Sequence, residues 1–287
     1  MLAESKFFII VLYKCSLENS ESFNAIIESL THENERAYLY VYDNSPQRQT
    51  INANSSVWIN VSYVHDPLNL GLGVAYNSGV KLATSLNLKW VVLLDQDTQF
   101  PITFINKLNS AICHFDNIKL FAPMLKLKTG APFSPTRYKF KVGHFVDLKE
   151  GILSLQKYSP VNSGMVINIS AFNEVGGYRE DVRLDFADFQ FIERFRKKNQ
   201  YFYLIDSVAV QNYSKEEKDL DKNIFRFGIY LECVKNCVRT SFFDDLLYFF
   251  IAFKHLVAVC IKCRSFIFMK MFYLSYIKKK RVKSIVG

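Results

Sequence analysis

Phe7 to Tyr13 (FFIIVLY) is an unbroken run of apolar, β-branched and aromatic residues. A strand with one wet face alternates polar and apolar positions, so this pattern marks a strand covered on both faces and opens a parallel sheet. After a polar loop, Phe23, Ile26, Ile27 and Leu30 recur at helical spacing within Ser20 to Leu30, and Ala37 to Tyr42 (AYLYVY) reads as a second strand. Val57 to Val64 follows as a third strand, Val74 to Leu86 as a helix and Trp90 to Leu94 as a fourth strand. Strands and helices alternate to about residue 124, which predicts an α/β fold with a mostly parallel, doubly wound sheet.

Beyond that point the pattern loosens. Phe104 to Phe115 reads as helix, Lys119 to Met124 as strand, and Lys126 to Lys157 as an irregular or β-rich insert holding Gly130, Pro132, Pro135 and Gly143. Val166 to Ile169 is a short apolar run, Ser170 to Val175 a helical turn closing at Gly176-Gly177, Phe186 to Lys198 a helix, and Tyr201 to Val210 a strand. Helices follow from about residue 221. The expected organisation is one domain over 1–220 and a helical tail over 221–287, within the size of a single large core.

The net charge of +9 is concentrated in that tail, where 13 Lys/Arg stand against four Asp/Glu from Asp221 to Gly287. Aromatic and aliphatic residues are interleaved with these cations, a mixture that suits anionic headgroups better than a nucleic-acid groove. The expectation is peripheral membrane contact through Lys278-Lys279-Lys280-Arg281, and no nucleic acid. Met1 to Lys14 lacks a basic leader and a cleavage site, so it does not read as a signal peptide. Leu246 to Ile277 is interrupted by Lys254, Lys262, Arg264 and Lys270, and no segment is expected to cross a membrane. Six cysteines read as reduced thiols. Cys233 with Cys237 and Cys260 with Cys263 have the spacing of a zinc site, but their apolar neighbours favour buried packing.

Asp95 and Asp97 follow Val91, Val92, Leu93 and Leu94, which places two carboxylates at the lip of a buried strand. Ligands of open α/β sheets bind at that edge. A turn there can aim one carboxylate at a ribose hydroxyl and the other at a divalent ion bridging phosphates. The loop Asn69-Leu70-Gly71-Leu72-Gly73 permits close backbone approach to a nucleotide-sugar and reads equally as a helix-entry turn. Asp185 and Asp188 stand at a helix start, where an Asp is ordinarily a cap. The preceding Gly176-Gly177-Tyr178 makes the segment a turning one that can present a base at the sheet edge.

Five blocks together resemble family 2 glycosyltransferases of the GT-A fold, in particular the rhamnosyltransferase-like branch of bacterial surface-polysaccharide synthesis. They are IVLYK (Ile10 to Lys14), YDNS (Tyr42 to Ser45), NLGLGVAYNSG (Asn69 to Gly79), LLDQDT (Leu93 to Thr98), and NSG through GGYREDVRLDFADFQF (Asn162 to Phe191). The resemblance implies a donor side formed by Tyr13, Asp43, Asn69, Gly71, Asn77, Asp95 and Gln96, with Asp43 on the base and Asp95 on the ribose or sugar. It implies Asp97 on Mg²⁺ or Mn²⁺, Asp188 as general base, and an acceptor side of Asn162, Ser163, Gly164 and Asp185. The implied reaction is inverting transfer from a nucleotide-sugar to a lipid-linked or oligosaccharide acceptor, at the cytoplasmic face of a bacterial membrane.

Relatives often place a His near Val210 to Ser214, where this chain has Gln211 and Asn212, and a second acid where it has Gln190. A catalytically impaired member that binds a nucleotide or carbohydrate is therefore the alternative reading. A nucleotidyltransferase is disfavoured, because Lys14 to Glu18 after the first strand contains no glycine. The resemblance points to dTDP-rhamnose as donor, but UDP-galactose and UDP-glucose use the same carboxylates.

Overall fold

The computed structural model describes residues 6–51, 57–212 and 219–278. Met1 to Ser5, Tyr213-Ser214 and Lys279 to Arg281, all of which bear on the sequence reading, lie outside the described residues.

The first half follows the alternation read from sequence. β1 (Lys6–Leu12), α1 (Glu21–His32), β2 (Ala37–Asp43), β3 (Ile59–His65), α2 (Leu72–Ser85) and β4 (Trp90–Asp95) come in order, and a two-residue strand β5 (Thr98–Gln99) leads to α3 (Phe104–His114). Next are β6 (Leu120–Leu127), β7 (Pro132–Ser134), β8 (Thr136–Lys139), β9 (Val142–Phe145), β10 (Gly151–Ser154), β11 (Tyr158–Ser159) and β12 (Val166–Asn168). α4 (Ile169–Glu174), α5 (Ala187–Phe195) and β13 (Tyr201–Gln211) complete the sheet region, and α6 (Leu220–Asn236), α7 (Phe242–Cys263) and α8 (Ile267–Phe272) form the tail.

The main sheet runs β10-β13-β6-β12-β4-β1-β2-β3. β3, β2, β1 and β4 are mutually parallel, and β13 is parallel to β6. β12 enters antiparallel between β4 and β6. A separate three-stranded sheet, β11-β8-β9, accounts for much of the insert, which is therefore β-rich.

Both faces of β1 are buried, as the unbroken apolar run requires. Phe7, Ile9 and Val11 pack with Ala75, Tyr76 and Val80 of α2 and with Phe191 and Phe195 of α5. Phe8, Ile10 and Leu12 pack on the other side with Phe23 and Ile26 of α1 and with Phe104 and Leu108 of α3. A third apolar cluster joins α6, α7 and α8. Phe186, just before α5, packs against both this cluster and the main core.

By length and composition alone, α7 is long and apolar enough to be a candidate membrane span, and only 22% of its most apolar window is buried. Two lysines in 22 residues interrupt an uncharged span without making the helix polar.

Candidate active site

β4 ends at Asp95, one strand from β1 and with Asp95 opposite Val11 in the register. The chain then turns sharply, and Thr98-Gln99 pair with the end of β13, so that Thr98 faces Gln211. Serines at the start of α1 fix this turn. Ser20 Oγ donates to Gln96 O at 2.9 Å, and Ser22 Oγ, which bonds Asp95 O, also accepts from Thr98 N at 3.1 Å. Gln96 turns toward the loop after β1, where its Oε1 accepts from Tyr13 N at 2.8 Å. Tyr13 and Gln96 thus form one lip of the sheet edge.

Asp95, Asp97 and Asp188 are brought together. Burial raises the Asp95 carboxyl to about 7, and the charges of Asp97 and Asp188 push it the same way. Burial also raises Asp97, opposed by a hydrogen bond from Gln211. Asp188 is raised to about 6, again mainly by burial. Groups so displaced beside one another are characteristic of functional sites. The Tyr76 and Tyr178 rings meet at 5.1 Å, tilted by 55°, and each phenol is pushed up by burial and by the charges of Asp95 and Asp188.

α5 starts in an unusual way. Its N-cap is Phe186 in the left-handed region (φ 67°), with no side-chain cap. Asp188 is in the first turn and its Oδ1 accepts from Phe189 N at 2.8 Å. Asp185 forms a two-point ion pair with Arg226 of α6. Neither Asp is the ordinary cap, and Asp185 is held toward the tail.

The remaining expected residues divide by what they touch. Asp43 is buried; its Oδ1 accepts from Ser45 N at 2.9 Å and its Oδ2 from Gln49 Nε2 at 2.9 Å and Tyr63 OH at 2.7 Å. Burial alone would raise its pKa, but these bonds outweigh it and hold the carboxyl below the usual range. Gly71 has φ 104°, and an added Cβ would come within 2.5 Å of Arg183 O. The close approach this glycine permits is that of the segment ahead of α5, since Leu72 N also donates to Arg183 O at 2.8 Å. Arg183 bonds Asn69 O as well. Asn77 joins the same contact, accepting from Tyr178 N at 2.8 Å and donating to Tyr178 O at 2.9 Å. Asn69, Gly71 and Asn77 thus clasp the 178–183 segment that leads to Asp188.

Asn162 accepts from Tyr178 OH at 2.7 Å, and Ser163 Oγ lies 2.6 Å from Thr98 Oγ1. Gly164 N donates to Leu93 O at 2.8 Å. This segment backs the carboxylate turn from the β12 side.

Gln211 is the residue whose role the sequence reading left open. Its Nε2 donates to Asp97 Oδ1 at 2.6 Å, and its Oε1 accepts from Thr98 Oγ1. Asn212 contributes its backbone N to Asp97 O at 3.0 Å and points its amide at Glu21. Gln49, Tyr63, Ser20, Ser22 and Tyr76 were not singled out by motif; only Ser20, an α1 cap that accepts from Phe23 N, carries a local signal.

Among the described residues no group of three or more His, Cys, Asp or Glu could hold a metal by itself. The donors present still fit a divalent cation. Two carboxylates are held close enough to repel, and Glu21, whose charge also raises Asp97, has a buried Oε2 without a hydrogen-bond partner. Such a set is completed by phosphate oxygens rather than by protein alone. A cavity of about 330 Å³ between α3 and β13, lined by Lys107, His114 and Tyr203, contains none of these carboxylates, and the chemistry of the site outweighs its size.

Residues 8–145 match the model for glycosyl transferase family 2. A dTDP-rhamnosyl transferase, RfbF of Shigella flexneri, is 24% identical over 206 residues, covering 70% of this chain and 67% of its own. Among solved structures, S. aureus TarS is similar with a TM-score of 0.54 at 13% identity over 85% of this chain. This chain spans 42% of that TarS chain. The 1–349 form of TarS in complex with UDP, 69% of which is covered, gives the same TM-score.

Proposed function

We propose that the chain, residues 8–145 of which match the family 2 glycosyltransferase model, is an inverting transferase that moves a sugar from a nucleoside diphosphate to a hydroxyl of a surface-polysaccharide precursor. The observation that carries this reading is the convergence of Asp95, Asp97 and Asp188, from β4, the following turn and α5, with their carboxyls displaced upward. A relative named for dTDP-rhamnose supports rhamnose as the sugar, and neighbours bound to UDP and UDP-GlcNAc support a nucleotide-sugar donor.

In this mechanism Asp95 orients the ribose or sugar, and Asp97, steadied by Gln211, would hold a divalent cation. When bound, that cation would supply charge neutralisation of the departing nucleoside diphosphate. Asp188 takes the proton of the acceptor hydroxyl as that oxygen attacks the anomeric carbon. Its raised pKa makes it a better base than an ordinary carboxylate while leaving it ionised at neutral pH. Asn162, Ser163 and Gly164 line the acceptor side, and the base of the donor reaches toward Asp43. The basic tail keeps the enzyme peripheral to the cytoplasmic face of the membrane, where a lipid-linked acceptor would be held.

The test is calorimetric titration of UDP, dTDP, GDP and CDP, with and without Mn²⁺, into wild type and Asp97→Ala. One nucleotide is expected to bind in a metal-dependent manner and to lose roughly tenfold or more in the variant. Absence of binding by all four overturns the donor site. Binding without any turnover favours the impaired-member reading, for which Gln211 and Asn212, in the segment where the resemblance leads one to expect a His, are the motive.

A further inference from the structure

We propose that the exposed face of α7 is a membrane-docking surface that lies in the plane of an anionic lipid interface, with its aromatic side chains inserted. This deepens the membrane part of the reading above by naming the residues and the mode, and it rests on none of the transfer chemistry.

α7 has two faces of different fate. Tyr248, Ala252, Leu256 and Val259 are buried in the cluster shared with α6 and α8. At 100° per residue, Phe242, Leu246, Phe250, Phe253, Val257 and Ile261 fall within roughly 100° of arc, centred about 130° around the helix from the buried residues. All six are exposed, Phe242 by 83% and Ile261 by 72%. A helix facing only water carries polar residues there. Phe266 just before α8, and Ile267 and Met269 within it, are also exposed, while Phe268 and Met271 are buried.

Charge identifies the occupant. From Leu246 to Gly287 the sequence has nine Lys/Arg and no Asp or Glu. Lys254, Lys262, Arg264 and Lys270 are exposed along the same helices. Anionic headgroups complement this surface, whereas a second copy would bring like charges face to face. An in-plane placement also fits better than a crossing. Lys254 stands near the middle of the 22-residue helix, where a spanning arrangement would bury it at the bilayer centre. Crossing would also strip Tyr248 and Leu256 from α6 and α8, while lying flat leaves the packed face intact.

The experiment is co-sedimentation of the full chain with vesicles of phosphatidylcholine alone or mixed with phosphatidylglycerol. The variants are Phe250→Ser/Phe253→Ser/Ile261→Ser and a chain ended after Tyr276. Wild type is expected to bind the anionic vesicles, and the serine variant to bind roughly tenfold or more weakly with an unchanged melting temperature. The shortened chain should keep much of its binding at high salt. Wild-type affinity in the serine variant overturns the proposal, and loss only on shortening assigns the membrane contact to the terminal charges instead. Retention of wild type by membranes after alkaline carbonate washing overturns the in-plane mode. A wild type that ignores vesicles and is a dimer made monomeric by the serines marks the face as a contact between copies, and the proposal falls. Should the serine variant not fold, Phe253→Trp decides, since emission from an inserted indole is quenched by acyl-brominated lipid and an unquenched one overturns insertion. Nucleotide binding is indifferent to all of these outcomes.

Discussion

Asp188 and Asp95 are both displaced upward, with different consequences. As a base, Asp188 works only when ionised, so the rate of transfer should fall about tenfold per pH unit below about 6 and level off above it. Asp188→Asn is expected to lower turnover roughly 10²- to 10⁴-fold with nucleotide affinity unchanged, which steady-state kinetics and calorimetry together would check. For Asp95 the readout is stability. Its folded pKa of about 7 lies above the ordinary value near 4, so the native state holds its proton more tightly than the unfolded chain does. The stability this contributes is complete below about pH 4 and is lost as pH rises through about 7. The melting temperature of the unliganded protein should therefore drop across that window, and Asp95→Asn should flatten the drop and raise the value at pH 8 by on the order of 3 °C. A pH profile identical in wild type and variant would show that Asp95 is not the group responsible. These carboxylates were legible in sequence because they follow an apolar strand or begin a helix. The Gln211 contact was not, because it is made by a residue 114 positions from Asp97 through the pairing of β13 with β5.

At the scale of elements, continuous apolar runs identified β1, β2 and β4, since a strand buried on both faces has nowhere to place a polar residue. β12 was visible only as a short apolar run, and its antiparallel insertion between β4 and β6 follows from no local pattern. The turn at Asn69 to Gly73 shows the same limit. Its glycines announced a close approach, but what approaches is the 179–183 backbone, over a hundred residues away. Gly71→Ala should therefore be costly twice over, through a φ of 104° and a Cβ within 2.5 Å of Arg183 O. About 1–3 kcal/mol is expected, with weakened catalysis because the displaced segment leads to Asp188. Gly176→Ala is the control, since φ is also positive (75°) but nothing lies within 4 Å of the new Cβ, and about 1 kcal/mol is expected there. Urea unfolding of the two variants separates steric displacement from backbone strain; equal losses would place the whole cost in the backbone.

For the whole molecule, the change of composition near residue 220 marks a tail, yet the packing runs across it. Lys141 on the turn between β8 and β9 pairs with Glu193 of α5 at 2.7 Å and with Asp244 of α7 at 3.5 Å. Tyr138 OH donates to Glu193 at 3.0 Å. Gln190, where the resemblance led to the expectation of a second acid, donates to Tyr248 OH at 3.0 Å and accepts from Val238 N at 2.8 Å. Through these two bonds Gln190 joins α5 to the tail, and its amide also donates to Glu193 Oε2 at 3.2 Å, which a carboxylate at 190 could not do. With Phe186 shared by both apolar clusters and Arg226 holding Asp185, the tail is bound to the helix that carries Asp188. Two separate domains would unfold in two steps; this arrangement predicts one. Calorimetric melting of the full chain should give a single transition, and Lys141→Ala should lower it while keeping it single. The expected loss is on the order of 2 kcal/mol, below the range for a fully buried pair because these side chains keep some water contact. If the variant instead splits the transition in two, the tail is a separable unit and its hold on α5 depends on this ion pair alone.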